Sequence, residues 1–172
     1  GTGGAMGFLH PVGPLTRATR GGTVAAGAPG VGTDPADPDI HYVDGSPVMS
    51  LLYGLDVIAF GKWGRQPDLV VSGPNEGNNQ GLINPSSGTF NNALYAINRG
   101  IPAIAVSSGE TAQKNGLPGD KEAIEFRIAG LVVDLIDRIE RNRGGARSKG
   151  ALLPPGTGLN VNVPKFDPAH GC

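Results

Sequence analysis

The sequence predicts an α/β protein, a three-layer Rossmann-like sandwich with a mostly parallel sheet. Short apolar runs bounded by Gly, Pro or Ser recur along the chain, as is typical of buried strands. These runs alternate with segments whose apolar residues repeat every three or four positions, which indicates helices. Strands that alternate with helices are joined by right-handed crossovers into a parallel sheet.

The elements can be assigned in chain order. Residues 1–38 lack periodicity and predict a loop with a brief extended piece. Ser46 stands where an N-cap is expected, with Pro47 at the first helical position. Thr89 begins a later helix, which Gly100 ends. The predicted strands are 40–43, 69–71, 101–106 and 159–163, and the predicted helices are 47–60, 89–99 and 120–142.

Composition limits the class of function. A chain of 172 residues is long enough for one domain with a buried core, and its 29 Gly and 15 Pro predict long loops. A net charge of −1 provides no electrostatic footprint for a nucleic-acid duplex or a membrane surface. The chain starts without Met or a signal peptide, so we expect a mature, processed or partial chain. The single Cys172 is compatible with an extracytoplasmic or a cytoplasmic protein.

The loop over residues 73–88 has the composition of a ligand site. It follows the strand 69–71, and ligands of open α/β sheets bind at the carboxyl ends of strands. Its four Asn offer amide donors and acceptors. Ser87, Gly88 and Thr89 open a helix, where backbone N–H groups and the helix dipole attract an anion. The alternative is a connection rich in turn formers.

Other chemistry is less well supported. Asp34, Asp37 and Asp39 suggest a metal site, but Pro35 and Pro38 hold this segment extended, and we interpret it as a solvated linker. No Gly-x-Gly-x-x-Gly follows a strand, and no Walker A motif or Gly-x-Ser-x-Gly occurs. Dinucleotide binding, P-loop chemistry and a serine nucleophile are therefore unsupported.

Several motifs occur in a fixed order. They are Asp-Leu-Val-Val-Ser-Gly-Pro-Asn at 68–75, Ser-Gly-Thr at 87–89, Gly-Ile-Pro-Ala-Ile-Ala-Val-Ser at 100–107 and Leu-Asn-Val-Asn-Val-Pro at 159–164. Together with Gly-Ser-Pro at 45–47, they closely resemble the SurE family of metal-dependent acid phosphatases and 5′/3′-nucleotidases. Pro74 and the long segment before residue 45 are similar to its acid-phosphatase branches.

The resemblance implies a site for Mg²⁺ or Mn²⁺ and for a phosphate group. In the family the ion is held by two adjacent Asp, a Ser and the Asn of Ser-Gly-x-Asn, to which Asn75 corresponds. Ser87, Gly88 and Thr89 correspond to the phosphate-binding segment. The turn at Ser46 would border the substrate, whether or not it also caps a helix. The predicted substrate pocket consists of Ser46, Gly73 and Asn79.

The family's Asp pair has no match here, so the catalytic residues stay unassigned. We therefore expect residues 1–172 to be one SurE-like domain, incomplete at both ends. One hypothesis is a phosphomonoester hydrolase, an acid phosphatase or nucleotidase that uses a metal-activated water, with a homodimer implied by the family. The alternative is a non-catalytic domain on the same scaffold that binds a ligand or a partner subunit.

Overall fold

The computed structural model describes residue 9 and residues 11–19, 21–109, 118–142 and 152–164. Cys172 and most of the residues before Pro11 lie outside this set. The helices and strands follow in the order β1 (Val31–Asp34), β2 (Asp37–Val43), α1 (Pro47–Tyr53), a π-helical segment (Gly54–Ala59), α2 (Phe60–Trp63), β3 (Val70–Glu76), a 3₁₀ segment (Gly81–Ser86), α3 (Gly88–Asn98), β4 (Ala103–Ser108), α4 (Pro118–Arg141) and β5 (Gly158–Val163).

The predicted α/β class is confirmed by a parallel sheet in the order β3-β4-β5, with helices on both faces. Side chains of β4 alternate between the two faces. Ala103 and Ala105 pack with residues of the π-helical segment and α3, whereas Ile104 and Val106 pack with Ile128 of α4. Because both faces are buried, residues 103–106 of β4 are continuously apolar, as expected of a central parallel strand.

The strand predicted at residues 40–43 is real, but it does not join the parallel sheet. It belongs to β2, which pairs antiparallel with β1. The extended residues of β1 and the first part of β2 also replace part of the loop predicted over 1–38. The side chain of Asp34 accepts a hydrogen bond from Ala36 N at 2.8 Å and supports the reversal between the two strands. The acidic segment is therefore a hairpin turn rather than a linker.

Two further boundaries differ from the sequence prediction. The helix expected over 47–60 changes to π-helical hydrogen bonding at Gly54 and ends at Gly64, whose φ is 65°. Buried Leu55 and Ala59 are four residues apart, so the apolar face is retained. Strand β3 also runs on to Glu76, since its pairing with β4 resumes after an irregularity between Ser72 and Asn75. Gly73 and Asn75 are thus strand residues, not loop residues.

Candidate functional site

Three polar residues form a row across the carboxyl ends of the sheet. Asn75 of β3 is in register with Ser107 of β4, which is in register with Asn162 of β5. Helix α3 follows β3, so its first turn lies at the same edge of the sheet. The topology therefore brings the predicted metal ligand and the predicted phosphate-binding segment to one edge.

Asn79 is held at this edge by long-range hydrogen bonds. Its backbone N–H donates to Asn162 Oδ1 at 2.8 Å, and its backbone oxygen accepts from Asn162 Nδ2 at 3.1 Å and from Asn160 Nδ2 at 3.0 Å. Its side-chain Nδ2 donates to Ser107 Oγ at 2.8 Å. Asn79 is 5% exposed and Ser107 is fully buried, so the bond between their side chains is shielded from water, whereas the bonds to Asn160 and Asn162 are partly buried.

Asn75 has a fixed amide orientation. Its Nδ2 donates to Gly77 O at 2.8 Å and to Glu76 O at 3.1 Å. The turn is tied to β4, because Gly77 N donates to Ser108 O at 2.8 Å. Among the described residues, no donor is bonded to Asn75 Oδ1. The amide oxygen is therefore the atom with which Asn75 can bind a cation or another donor.

The first turn of α3 has the features of an anion site. Ser87 is the N-cap, and its Oγ accepts from Phe90 N at 3.0 Å, which leaves the hydroxyl proton for another acceptor. The N–H groups of Gly88 and Thr89 have no partner within the helix because they belong to its first turn. Gly88 is buried against Pro47, and a Cβ at Gly88 would lie 2.5 Å from Pro47 Cγ. Binding of an anion by Ser87, Gly88 and Thr89 stays a prediction.

The remaining two pocket predictions have structural roles of their own. Ser46 is 2% exposed at the start of α1, but its hydroxyl makes no capping hydrogen bond. It precedes Pro47, which packs on Gly88, so Ser46 lies close in space to the start of α3. Gly73 has a φ of 120°, and a Cβ there would lie 2.2 Å from Val106 O. Whether these residues contact a substrate stays a prediction.

The described residues do not by themselves fit a complete divalent-metal site. No group of three or more His, Cys, Asp or Glu among them is placed to hold an ion. Asn75 and the nearby hydroxyls offer neutral oxygens, whereas carboxylates provide most of the affinity for Mg²⁺ or Mn²⁺. Asp68 forms a bidentate ion pair with Arg65 near the opposite end of β3. The donors at the carboxyl edge instead suit a phosphate group.

Sequence reasoning missed Ser107, Asn160 and Asn162. A signal was available in the alternation of β5, because Leu159, Val161 and Val163 pack in the cluster that contains Ile128 of α4. The two intervening Asn residues must then project from the other face of the sheet.

A cavity of about 280 Å³ also lies between α1 and α3. It is lined largely by apolar side chains, among them Val48, Leu52 and Leu94, and by Tyr95. None of the predicted site residues contributes to it.

No helix among the described residues is long and apolar enough to cross a membrane.

Known proteins similar to this chain agree on one family. The chain is 34% identical over its whole length to a protein named acid phosphatase from Yarrowia lipolytica, of which it covers 49%. It is 38% identical over 127 residues to a protein named 5′-nucleotidase SurE from Geobacter metallireducens, covering 74% of this chain and 42% of that protein. The chain thus spans about half the length of the curated relatives it matches.

A solved structure and a family model agree with this similarity. The crystal structure of the SurE protein from Aquifex aeolicus matches 96% of this chain and 51% of that chain, with a TM-score of 0.59 and 28% identity. The model of the family described as survival protein SurE matches residues 3–171. The chain therefore belongs to the SurE family.

Proposed function

We propose that this chain carries the phosphate-binding part of a phosphomonoester hydrolase, an acid phosphatase or nucleotidase. One observation carries the proposal: the first turn of α3 lies at the edge of the sheet where Asn75, Ser107 and Asn162 form a row. Relatives named acid phosphatase and 5′-nucleotidase support this class of substrate. The substrate would be a nucleotide or another phosphomonoester.

In this proposal the chain's own groups bind and orient the phosphate. The N–H groups of Gly88 and Thr89 and the Ser87 hydroxyl donate hydrogen bonds to its oxygens. The capping bond from Phe90 N fixes the position of Ser87 Oγ before the substrate arrives. Donors held in place in this way need no reorganisation when negative charge accumulates on the phosphate.

We also propose that the hydrolase depends on a divalent ion, Mg²⁺ or Mn²⁺, with the amide oxygen of Asn75 as one ligand. The described residues lack the carboxylates that such an ion needs, so these would have to come from elsewhere in the protein. Such an ion supplies an activated water and charge neutralisation when it is bound. We likewise propose, from the family, that the protein forms a homodimer.

The phosphate site is tested by replacing Ser87 in the full-length protein that contains this chain. Ser87→Ala removes one hydrogen bond to a charged group, and we expect kcat/KM for p-nitrophenyl phosphate to fall roughly 10- to 100-fold. The lost cap should cost about 1 kcal/mol of folding stability. Ser86→Ala is the matched control, since exposed Ser86 donates only to Ile83 O, at 2.9 Å.

The outcomes of this experiment separate binding from folding. Equal kcat/KM for Ser87→Ala and the wild type, measured where both are folded, would contradict the phosphate site.

Metal dependence is tested with Asn75→Ala, which should raise the Mn²⁺ concentration needed for half-maximal activity while the melting temperature changes little. A large loss of stability with an unchanged Mn²⁺ requirement would identify Asn75 as a structural residue.

A second candidate function is a non-catalytic domain that binds a phosphorylated ligand. The described residues would suffice for it, because binding a phosphate group requires no carboxylate cluster. Calorimetry with inorganic phosphate and an assay of turnover distinguish the two functions. Binding that is weakened by Ser87→Ala, without hydrolysis by the wild-type full-length protein at any Mg²⁺ or Mn²⁺ concentration, would favour the binding domain.

A further inference from the structure

We propose that Asn160 and Asn162 are positioning residues that fasten the loop over residues 77–80 to the sheet and thereby align the site. This inference rests on the proposed function, because it assigns these two side chains a role in the same reaction. They contact neither the first turn of α3 nor Asn75 in any hydrogen bond of the described residues, so they would act through Asn79.

The anchor resembles a short piece of strand pairing made by a side chain. Asn162 uses its amide oxygen to accept from Asn79 N and its amide nitrogen to donate to Asn79 O. A carboxamide has the same donor and acceptor pair as a peptide group, so it can satisfy both backbone groups of one residue. Asn160 adds a second donor to Asn79 O, at 3.0 Å. Both backbone groups of Asn79 are therefore paired with β5.

The loop needs such an anchor because a flexible glycine lies on each side of Asn79, and the bonds of Gly77 N and of the Asn79 side chain to β4 would by themselves leave the Asn79 backbone unpaired. Gly77 has a φ of 96° and Gly81 has a φ of 57°, so a glycine in a left-handed conformation stands on each side of Asn79. Glycine loses more conformational entropy on folding than any other residue. The hydrogen bonds from Asn160 and Asn162, which follow Asn79 by 81 and 83 positions in the sequence, offset this loss because they fix the middle of the loop.

The position of the loop affects both halves of the proposed site. On its amino-terminal side, Asn75 Nδ2 donates to Gly77 O, so the turn that orients the Asn75 amide is continuous with the loop. On its carboxyl-terminal side, the chain passes through the 3₁₀ segment to the Ser87 cap. If Asn79 were released from β5, both the Asn75 amide oxygen and the first turn of α3 at Ser87 would therefore be able to shift.

The opposite face of β5 provides a matched control. Val161 lies between the two Asn residues and packs in the cluster that contains Ile128 of α4. Val161→Ala destabilises the same strand by removing apolar contacts, but it leaves every hydrogen bond to Asn79 in place. Asn162→Ala removes two of those hydrogen bonds and leaves the apolar face unchanged. The pair separates positioning from general loss of stability.

The experiment uses the full-length protein and three measurements: the melting temperature, hydrogen exchange of peptides covering residues 77–82, and kcat and KM with p-nitrophenyl phosphate. In Asn162→Ala we expect faster exchange in this loop and a fall in kcat of roughly 10- to 100-fold, because a displacement of about 1 Å suffices for such a loss. Asn160→Ala should show a smaller fall, since Asn162 still donates to Asn79 O. Val161→Ala should lower the melting temperature and leave loop exchange and kcat within about twofold of the wild type.

Two results would overturn the inference. One is unchanged loop exchange in Asn162→Ala, which would mean that the anchor does not hold the loop. The other is an Asn162→Ala protein whose loop exchanges faster but whose kcat equals that of Val161→Ala. This result would mean that the anchor does not affect the site. If the wild-type protein hydrolyses no phosphomonoester, the proposed hydrolase fails. The positioning role is then decided by loop exchange together with the affinity for inorganic phosphate, which Asn162→Ala should lower if the role is correct and leave unchanged if it is wrong.

Discussion

Two regions of the molecule collect polar side chains, and they are built differently. At the carboxyl edge of the parallel sheet, neutral Asn and Ser residues from two strands and a loop are joined by buried and partly buried hydrogen bonds. At the turn of the β1–β2 hairpin, three carboxylates lie within six residues of one another. The hairpin has more charge, but the sheet edge has the shielded, long-range contacts.

The carboxylates of the hairpin already have partners, which are neighbouring backbone N–H groups for Asp34 and Asp37 and the Lys62 ammonium for Asp39. Asp34 Oδ1 accepts from Ala36 N at 2.8 Å, and Asp37 Oδ1 accepts from Asp39 N at 2.9 Å. Asp39 forms an ion pair with Lys62, and the hydrogen bond and charge of that ammonium lower the pKa of Asp39. We therefore place the proposed site at the sheet edge, where polar groups of distant segments are buried together, and not at the hairpin, where the carboxylates are exposed or only partly buried.

The largest expected effect comes from breaking the sheet edge at Gly73. Gly73→Ala would place a Cβ 2.2 Å from Val106 O at a φ of 120°, so strand β3 must move away from β4. We expect a loss of about 3 kcal/mol in the free energy of unfolding, together with loss of the proposed phosphatase activity. Chemical denaturation of the full-length protein measures it.

Gly54→Ala is the control for this prediction. Gly54 has a φ of −60°, and no neighbouring atom lies within 4 Å of the position that a Cβ would take, so alanine fits there. Its effect on the free energy of unfolding should be neutral or stabilising, by no more than about 1 kcal/mol. A stable, fully active Gly73→Ala protein would show that the close approach of β3 and β4 is not needed at this edge.

The sequence predicted the parts of the fold that depend on local pattern. The strands β4 and β5 and the helix α3 follow from apolar periodicity and from breakers such as Gly100, and the structure confirms them. The hairpin was missed because β1 contains no apolar alternation and is stabilised by pairing with β2. A pairing partner cannot be read from one segment alone.

The site was predictable only in part, for the same reason. The helix start has a local signature in Ser-Gly-Thr at 87–89, and the structure confirms that a helix begins there, with Ser87 as its N-cap. The row of Asn75, Ser107 and Asn162 depends on the register of three strands, and these residues are 32 and 55 positions apart in sequence. Register is set by packing of the two sheet faces and by the irregularity at Gly73, and neither can be assigned from a single sequence.

A smaller effect is expected from the ion pair that joins the π-helical segment to α3. Arg99 donates to both carboxylate oxygens of Asp56, at 2.6 and 3.0 Å, and this hydrogen bonding lowers the pKa of Asp56 below its ordinary value of 3.8. The pair's contribution to stability is therefore complete above pH 3.8 and is lost as the pH falls through the lowered pKa. Because Asp56 is 44% exposed, we expect only about 0.5 kcal/mol.

Denaturation curves of the wild type and Asp56→Asn at several pH values measure this contribution. The variant should be less stable at neutral pH and should approach the wild type as the pH falls below 3.8. Arg99→Gln, combined with Asp56→Asn in a double-mutant cycle, isolates the pair from other effects of each change. A difference that stays constant from neutral to acid pH would contradict the assignment to this pair.

The smallest effect, and the sharpest test of the comparison, is expected at the hairpin. The double variant Asp34→Asn/Asp37→Asn removes two carboxylates but keeps the Oδ1 acceptors for Ala36 N and Asp39 N, so the turn should survive. We expect the free energy of unfolding to change by less than about 0.5 kcal/mol. The Mn²⁺ concentration for half-maximal phosphatase activity should not change, whereas Asn75→Ala should raise it. If the double variant raises the Mn²⁺ requirement and Asn75→Ala does not, the ion binds at the hairpin. The charge of that turn would then outweigh the buried network of the sheet edge, because carboxylates would be providing the affinity that neutral amides cannot.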